Sequence, residues 1–274
     1  MITARIIADS IYGPHRLTTV EAHLPRFLLA ELNTHRVFSR NSASSRAIPV
    51  RRRIRDVLSG PFVPSAFGAN KAGMQAGGTV GGWRSVAARV VWMAAMYAAV
   101  SGAYLLSALN VHKQWANRLL EPFAYTTVIV SATEWENFFA QRLHADAQPE
   151  MQQVAWAIFD AMAASVPRIC AKGDMHLPYL QPDELHLSKD RAAQVCIARC
   201  ARVSYLTQNG KRDIDEDVLM YWRLRKPGHM SPFEHVAIAG TGSGNFRGWS
   251  QMRAAIPNEA NFLGAKPTTD RSEQ

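Results

Sequence analysis

The spacing of apolar residues predicts that the chain begins with strands. Residues 2–8 and 17–22 are short apolar segments on either side of the turn Tyr12-Gly13-Pro14, as in two neighbouring strands. A helix is expected next, with Pro25 in its first turn. Residues 39–46 then form a polar segment whose Ser and Asn side chains compete for backbone hydrogen bonds, so we expect a loop there.

The remaining elements are mostly helical. Helical patterns cover roughly residues 84–121 and 133–165, with a β-rich run at 125–130 between them. The last third predicts helices at about 189–203 and 213–225, a strand at 235–239 and a short helix starting near Phe246.

These elements indicate an α+β fold in which a mixed or antiparallel sheet is combined with long helices. Residues 59–83 contain seven glycines, which predicts a surface loop inside one domain. The chain is therefore expected to form a single domain over residues 1–274. A disordered tail is expected from about residue 266.

Composition and charge narrow the class of ligand. Apolar residues make up 47% of the chain and charged residues 19%, which excludes disorder over most of its length. The net charge is +9, and the first sixty residues contain ten arginines and no lysine. Because guanidinium groups bind phosphate and carboxylate in a bidentate manner, an anionic ligand is expected.

The uncharged run at residues 90–109 is long enough to cross a bilayer. About half of it is Ala, Gly and Ser, which insert poorly. We therefore predict a buried helix, suitable for a subunit interface, and no membrane association.

The cysteines predict an intracellular protein. Cys170, Cys196 and Cys200 are an odd number, and no basic and apolar leader precedes them, which favours a reducing cytoplasm. Their spacing does not match a zinc site, so no metal is predicted.

Three polar segments are candidates for chemistry. Residues 35–46 suit a polyanionic ligand or form a solvated basic loop. Residues 137–150 place Asn137 and His144 on one helix face beside Arg142, as either a ligand stripe or an exposed polar face. Residues 229–235 resemble a capping turn, and their two histidines lack zinc-motif spacing. No nucleophile motif, dinucleotide-binding glycine motif or Walker loop is present, so covalent catalysis by the protein is not indicated.

Together these segments resemble the flavin-dependent thymidylate synthases. The sequence motif of that family is Arg-His-Arg, followed by seven residues and a Ser. An Asn-Glu pair lies among the seven residues, and an Arg stands two positions after the Ser. The positions that keep the pattern are His35, Arg36, Asn41, Ser44 and Arg46. Thr34 stands where the first Arg belongs, and Ser42 where the Glu belongs.

Further blocks extend the resemblance. Residues 137–150 match the family's Asn-Phe, Arg, Ala-Gln, Glu helix, and Asn117-Arg118 with Pro122 is similar to another family turn. Residues 201–205 and 229–235 resemble two blocks that usually precede the Arg-His-Arg motif, so the motif order is rotated here. A partial second copy of the motif lies near the end of the chain: when Arg253 is aligned with Arg36, Glu259 aligns with Ser42. We interpret it as a remnant of the motif in its original position.

The resemblance implies an enzyme that transfers a one-carbon unit from methylenetetrahydrofolate to C5 of dUMP, giving dTMP. FAD and NADPH are the implied cofactors, and a homotetramer is implied because the family builds each site from several chains. Arg142 and Ser44 are the implied catalytic residues, and they bind dUMP together with Arg46 and Arg118. The implied FAD-binding residues are His35, Arg36, Asn41, Asn137, Ser204, Ser231, Glu234, Arg253 and Glu259. His229 is expected on the folate or nicotinamide side.

Two alternatives follow from the changed positions. The protein could be a related flavin-dependent hydroxymethylase or methylase acting on dUMP or dCMP, since Thr34 and Ser42 depart from the motif. It could also be a non-catalytic basic protein that binds nucleic acid through its +9 charge, although a nucleic-acid partner is the less favoured interpretation.

Overall fold

The computed structural model describes residues 1–205 and 212–256, except for the side chains of residues 204 and 205. A five-stranded sheet lies at the centre, with strand order β3-β4-β2-β1-β5. Its strands are β1 (Thr3–Tyr12), β2 (His15–Pro25), β3 (Ser39–Ser42), β4 (Tyr125–Ala132) and β5 (Arg168–Ile169). Only β5 pairs in parallel, so the sheet is mixed, as the sequence predicts.

A smaller antiparallel sheet and eight helices complete the described part of the fold. The small sheet consists of β6 (Met175–His176), β7 (Ala237–Ala239) and β8 (Trp249–Gln251). The helices are α1 (Leu29–Leu32), α2 (Val50–Ser59), α3 (Gly82–Ala108), α4 (Lys113–Leu119), α5 (Glu136–Arg142), α6 (Pro149–Ala163), α7 (Lys189–Tyr205) and α8 (Ile214–Arg225). Single 3-10 turns occur at Arg26–Leu28, Glu121–Phe123, Pro182–Glu184, Ser231–Glu234 and Met252–Ala255.

Apolar residues of β2 and β4 form the main core against α1, α5 and α6. Leu24, Val128, Phe138 and Ile158 are among its fully or almost fully buried members. On the other face of the sheet, Ile129 packs with residues of α7. Helices α2, α3 and α4 form a separate cluster, so the helical part stands beside the sheet.

A buried ion-pair network joins α7 to α8. Arg199 binds Glu184 through Nη1 and Nη2 at 2.6 Å each, and it binds Asp217 through Nε at 2.9 Å. Asp217 also accepts from Arg202 Nε at 2.7 Å. The Arg199 guanidinium lowers the pKa of Glu184, because it donates hydrogen bonds to the charged carboxylate. Both acids are buried, so this network fixes the angle between the two helices.

Several predicted element boundaries are wrong. The pattern at 84–121 is divided between α3 and α4, because Asn110 adopts a left-handed conformation with φ 57°. The pattern at 133–165 ends at Arg142 and restarts at Pro149, which occupies the first turn of α6. The predicted helix after Pro25 is a 3-10 turn followed by a single α turn.

The predicted loop and the predicted last helix also require correction. Within residues 35–46, β3 pairs with β4, an interaction between distant segments that overrides the local polar preference. The helix expected near Phe246 is absent, because β8 and a 3-10 turn occupy residues 249–255. Gly248 makes the turn before β8 with φ 71°, where a Cβ would lie 2.4 Å from the His15 ring.

Helix α3 is not buried within the chain, contrary to the prediction. Of its residues, Met96, Val100 and Ala103 are buried. Large apolar side chains remain exposed along it, for example Trp83 at 79% and Leu105 at 65%. By length and composition alone, α3 is long and apolar enough to cross a membrane. The predicted tail from residue 266 lies outside the described residues.

Candidate active site

Two cavities adjoin β3, and together they form the candidate active site. The central cavity, of about 650 Å³, lies between β3, α4, α7, α8 and the 3-10 turn Ser231–Glu234. Its lining residues are Asn41, Ser42, Ser44, Arg46, Ala47, His112, Lys113, Ala201, Leu224, His229, Ser231 and Pro232. The arginine cavity, of about 520 Å³, is lined by Leu29, Asn33, Arg36, Arg40, Ser42 and Val128. Ser42 lines both cavities, so the two are neighbours.

The loop that carries Ser44 and Arg46 is held from behind by α4. Asn117 is fully buried, and its Nδ2 donates to the carbonyl oxygens of Ser45 and Ile48 at 2.8 Å each. Lys113 Nζ donates to the Ala47 carbonyl oxygen at 3.3 Å. These bonds fix the loop backbone, while Ser44 and Arg46 line the central cavity.

Asn41 connects β3 to α7. Its Nδ2 donates to the Cys200 carbonyl oxygen at 2.8 Å, so this hydrogen bond stabilises the fold while the residue also lines the central cavity.

The cysteines are buried, and burial raises the pKa values of Cys170, Cys196 and Cys200. They therefore remain thiols at neutral pH and offer no nucleophile.

The 3-10 turn Ser231–Glu234 is anchored by residues near the end of the described chain. Gln251 Nε2 donates to Ser39 Oγ at 2.8 Å and to the Glu234 carbonyl oxygen at 2.9 Å. Arg253 forms an ion pair with the Glu234 carboxylate. Arg253 thus contacts Glu234, another residue of the predicted FAD-binding set, and its role in FAD binding stays a prediction.

Arg142 lies in a separate cluster. Its Nε donates to His35 Nε2 at 2.9 Å, its Nη2 donates to Thr34 Oγ1 at 3.2 Å, and its Nη1 binds the Glu31 carboxylate. Burial, together with the positive charges of Arg142 and Arg40, lowers the pKa of His35 to about 4. The imidazole is therefore neutral at pH 7 and accepts the hydrogen bond from Arg142.

A buried chain of hydrogen bonds begins at His235, directly after the Ser231–Glu234 turn. His235 Nδ1 bonds Ser131 Oγ at 2.8 Å, and Ser131 Oγ bonds Thr19 Oγ1 at 2.7 Å. Thr19 Oγ1 in turn bonds His176 Nε2 at 2.7 Å, and His176 Nδ1 bonds Ser10 Oγ at 2.9 Å. Both histidines are fully buried, and burial lowers the pKa of each to about 3. The chain connects the Ser231–Glu234 turn to both sheets.

The structure brings together some of the predicted site residues and not others. Those at the two cavities are Arg36, Asn41, Ser44, Arg46, His229 and Ser231. Within one chain, Arg142 and His35 line neither cavity, Asn137 is exposed on α5, and Arg118 is exposed and stacks on Trp115. The predicted dUMP set of Ser44, Arg46, Arg118 and Arg142 therefore does not meet in a single copy. Glu259 and the side chain of Ser204 lie outside the described residues.

Sequence reasoning missed several residues of the site. His112 and Lys113 line the central cavity, Arg40 lines the arginine cavity, and Gln251 anchors the Ser231–Glu234 turn. Arg40 could have been noticed as an extra guanidinium inside the motif segment, whereas Lys113 belongs to no motif. In the part of the chain that the structure describes, no three His, Cys, Asp or Glu side chains gather as a metal site.

Comparison with known proteins assigns the family. The sequence profile described as "Thymidylate synthase complementing protein" matches residues 14–168, more than half of the chain. The chain therefore belongs to this family, the flavin-dependent thymidylate synthases. The two blocks at 201–205 and 229–235 lie beyond the matched range, yet Ala201, His229 and Ser231 line the same cavity as Ser44.

Solved structures with a similar backbone include two proteins of related description. The UMP/dUMP methylase PolB from Streptomyces cacaoi, bound with 5-Br dUMP, has 16% identity and a TM-score of 0.49, over 60% of this chain and 90% of that one. Thymidylate Synthase X from Helicobacter pylori, with FAD and dUMP, has 21% identity and a TM-score of 0.39, over 53% of this chain and 67% of that one. Curated protein sequences include none with significant similarity to this chain.

Proposed function

We propose that this protein transfers a one-carbon unit from methylenetetrahydrofolate to C5 of dUMP, giving dTMP, with FAD as cofactor and NADPH as reductant. In this reaction C5 of the pyrimidine bonds to the folate methylene carbon and loses its proton, and the bond between that carbon and the folate nitrogen breaks, which releases tetrahydrofolate. A hydride that originates from NADPH reduces the carbon to a methyl group, and NADP⁺ is the oxidised product. The observation that carries the proposal is the central cavity itself. Its wall contains side chains from three motif segments, at residues 41–46, 201 and 229–231, which lie up to about 190 residues apart in the sequence.

The residues present suit anionic nucleotide ligands. Arg46 and Lys113 supply positive charge to the central cavity, and Ser44 and Ser231 supply hydroxyl groups. The arginine cavity adds a second cationic wall, separated from the first by Ser42. Adjacent basic cavities fit a flavin nucleotide and a pyrimidine nucleotide side by side. When bound, FAD would supply the electron transfer that none of the described side chains can perform.

The side chains of this protein act by binding and orientation. Arg46, Lys113 and Ser44 would hold the 5′-phosphate of the nucleotide, because the loop that bears Ser44 and Arg46 is fixed from behind by Asn117. His229, exposed at the cavity wall, would contact the folate or nicotinamide. Arg142 is already positioned by Glu31 and His35, and we assign it to the pyrimidine in the site of another copy of the chain.

Assembly into a homotetramer, located in the cytoplasm, is part of the proposal. The exposed apolar side chains of α3 support the assembly. One face of α3 repeats every seven residues, which is the pattern of a coiled-coil seam. Its small members are Ala87, Ala94, Ser101 and Ala108, and its large ones are Trp83, Val90, Tyr97 and Tyr104, all of them exposed.

This face would form part of an interface with a second copy. Taking about 200 Å² for an aromatic side chain and half that for an aliphatic one, and scaling each by its exposed fraction, the four large side chains expose roughly 440 Å², about half the share of each partner in a standard interface. Arg84 and Arg89 lie near the N-terminal end of α3. Antiparallel pairing would place them beside the negative C-terminal end of the partner helix and keep the two basic ends apart. We therefore propose an antiparallel contact centred near Ala94 and Tyr97.

One observation favours a variant of the reaction. Ser42 occupies the position of the family's glutamate and lines both cavities, so a neutral hydroxyl replaces a carboxylate where the two ligands would meet. Such a change alters which pyrimidine or which product is favoured. Hydroxymethylation of dUMP or dCMP is therefore our second candidate.

The test uses purified full-length protein. We expect flavin absorbance after incubation with FAD, and release of the C5 hydrogen of dUMP only when methylenetetrahydrofolate and NADPH are also present. Parallel reactions with UMP and dCMP, and the product mass, distinguish substrate and product. A protein that binds no FAD, or that binds DNA in a salt-sensitive manner without turnover, would contradict the proposal.

A further inference from the structure

The arginine cavity contains two cationic side chains that face one space. Arg36 follows α1 and Arg40 lies on β3, and both line this cavity of about 520 Å³. No acidic residue lines it. A space bordered by two guanidinium groups and by the polar side chains of Asn33 and Ser42 is suited to an anion.

Arg40 is fixed in place by the end of α1. Its Nη1 donates to the carbonyl oxygens of His35 at 2.8 Å, Asn33 at 3.2 Å and Leu32 at 3.4 Å. Its Nη2 and Nε have no hydrogen-bond partner among the described residues. The guanidinium is thus oriented by one nitrogen, while two others are left for a ligand.

The local charge is not balanced within the described part of the chain. Arg36 is exposed and forms no ion pair there, and its positive charge contributes, after burial, to a lowered pKa of Arg40. Glu234 is the acid that acts on Arg40 electrostatically, but Arg253 already pairs with it. The acid that acts on Arg40 is thus already bound by a second arginine, and the exposed Arg36 adds a further positive charge, so an anionic ligand would restore the balance.

Thr34 makes the role of Arg40 specific to this chain. The family motif has arginine at that position, whereas Thr34 donates to the Glu31 carbonyl oxygen and accepts from Arg142. The Thr34 side chain is uncharged and so cannot pair with a phosphate as an arginine would. We propose that Arg40, together with Arg36, binds a phosphate group of a nucleotide ligand and so replaces the arginine missing at Thr34. The inference rests on the proposed function, in which the diphosphate of FAD is the phosphate source; the alternative source is the 5′-phosphate of the substrate.

The experiment compares flavins with and without phosphate. Dissociation constants for FAD and riboflavin are measured by equilibrium dialysis for wild type, Arg40→Gln, Arg40→Lys and the control Arg55→Gln, which removes an exposed charge of α2 that lines neither cavity. We expect Arg40→Gln to weaken FAD binding at least about tenfold, as for a hydrogen bond to a charged group. Riboflavin affinity should stay within about twofold, Arg40→Lys should recover part of the FAD affinity, and Arg55→Gln should match wild type.

Each other outcome has a definite meaning. Equal losses for FAD and riboflavin in Arg40→Gln would show that Arg40 only supports the end of α1, and unchanged affinity for both FAD and dUMP would show no role; both overturn the inference. A loss confined to dUMP relative to deoxyuridine would assign the phosphate to the substrate. If wild type binds no FAD, the proposed function fails, and inorganic pyrophosphate then tests the cavity alone. Pyrophosphate binding that Arg40→Gln abolishes would uphold the phosphate site, and its absence in wild type would overturn it.

Discussion

The buried pair His176 and His235 predicts a steep loss of stability in mild acid. Both imidazoles are neutral in the folded protein, with pKa values lowered to about 3 by burial, whereas an unfolded histidine has a pKa of about 6.5. Below pH 6.5 the two histidines therefore become protonated in the unfolded state but stay neutral in the folded state. The free energy of unfolding falls as the pH falls, and this loss ends only near pH 3.

The magnitude follows from the two pKa values. Between pH 7 and pH 5 each histidine removes about 2 kcal/mol, so the pair removes about 4 kcal/mol. That is a large part of the roughly 5–15 kcal/mol that stabilises a typical domain. Ser131 and Thr19 already bond to the histidines, so they cannot turn away from the rings without leaving buried polar atoms unpaired.

Urea denaturation at pH 7 and pH 5 measures the effect. The double variant His176→Gln/His235→Gln keeps hydrogen-bonding groups but does not titrate, so its loss between the two pH values should be about 4 kcal/mol smaller than that of wild type. His144→Gln is the control, because His144 is exposed at the surface. If the double variant and wild type lost equal stability on acidification, the assignment of neutral buried histidines would be refuted.

Three further predictions concern the site, the assembly and the fold. Arg46→Ala should weaken dUMP binding by about 1.5–3 kcal/mol in calorimetry while FAD binding changes little, and unaltered dUMP affinity would remove Arg46 from the nucleotide site. Ala94→Glu should dissociate the oligomer in sedimentation experiments, whereas Ala95→Glu, the same change on an exposed position outside the seven-residue repeat, should not. A monomeric wild type, or one that partitions into lipid vesicles through α3, would contradict the α3 contact. Arg199→Met should lower the free energy of unfolding by about 3–5 kcal/mol, because it removes the cation that binds both buried acids and leaves Asp217 with Arg202 alone; a change under about 1 kcal/mol in urea denaturation would contradict this.

The strands and the late helices were predictable because local signals agree with the fold there. Periodicity located β1, β2 and β4 and both α7 and α8, and α8 also has a capping residue, Asp213, before its first turn. The strand β3 was not predictable, because Ser39 to Ser42 are polar and become a strand only by pairing with β4. The exposure of α3 was missed because composition does not reveal whether a partner helix covers an apolar face.

The candidate site was predictable where family motifs mark it. His35 to Arg46 and the block at 229–235 could be assigned to one site, and the cavity places members of both on its wall. Lys113 and Gln251 could not be found this way, since each acts through a contact with a distant segment. The separation of Arg142 from Ser44 was also hidden, because motif spacing along the chain does not say which copy of the chain a side chain serves.

The position of β3 at the sheet edge has a consequence for solubility. Its neighbour β4 is apolar and almost wholly buried, and such a strand with an open edge is a template for aggregation. The four polar residues of β3 cover part of that edge, and Arg40 places a positive charge on it. The residues of β3 that line the two cavities thus also protect the protein from self-association through its strands. Substitutions of Ser39 to Ser42 by apolar residues should therefore yield insoluble protein as well as lost binding.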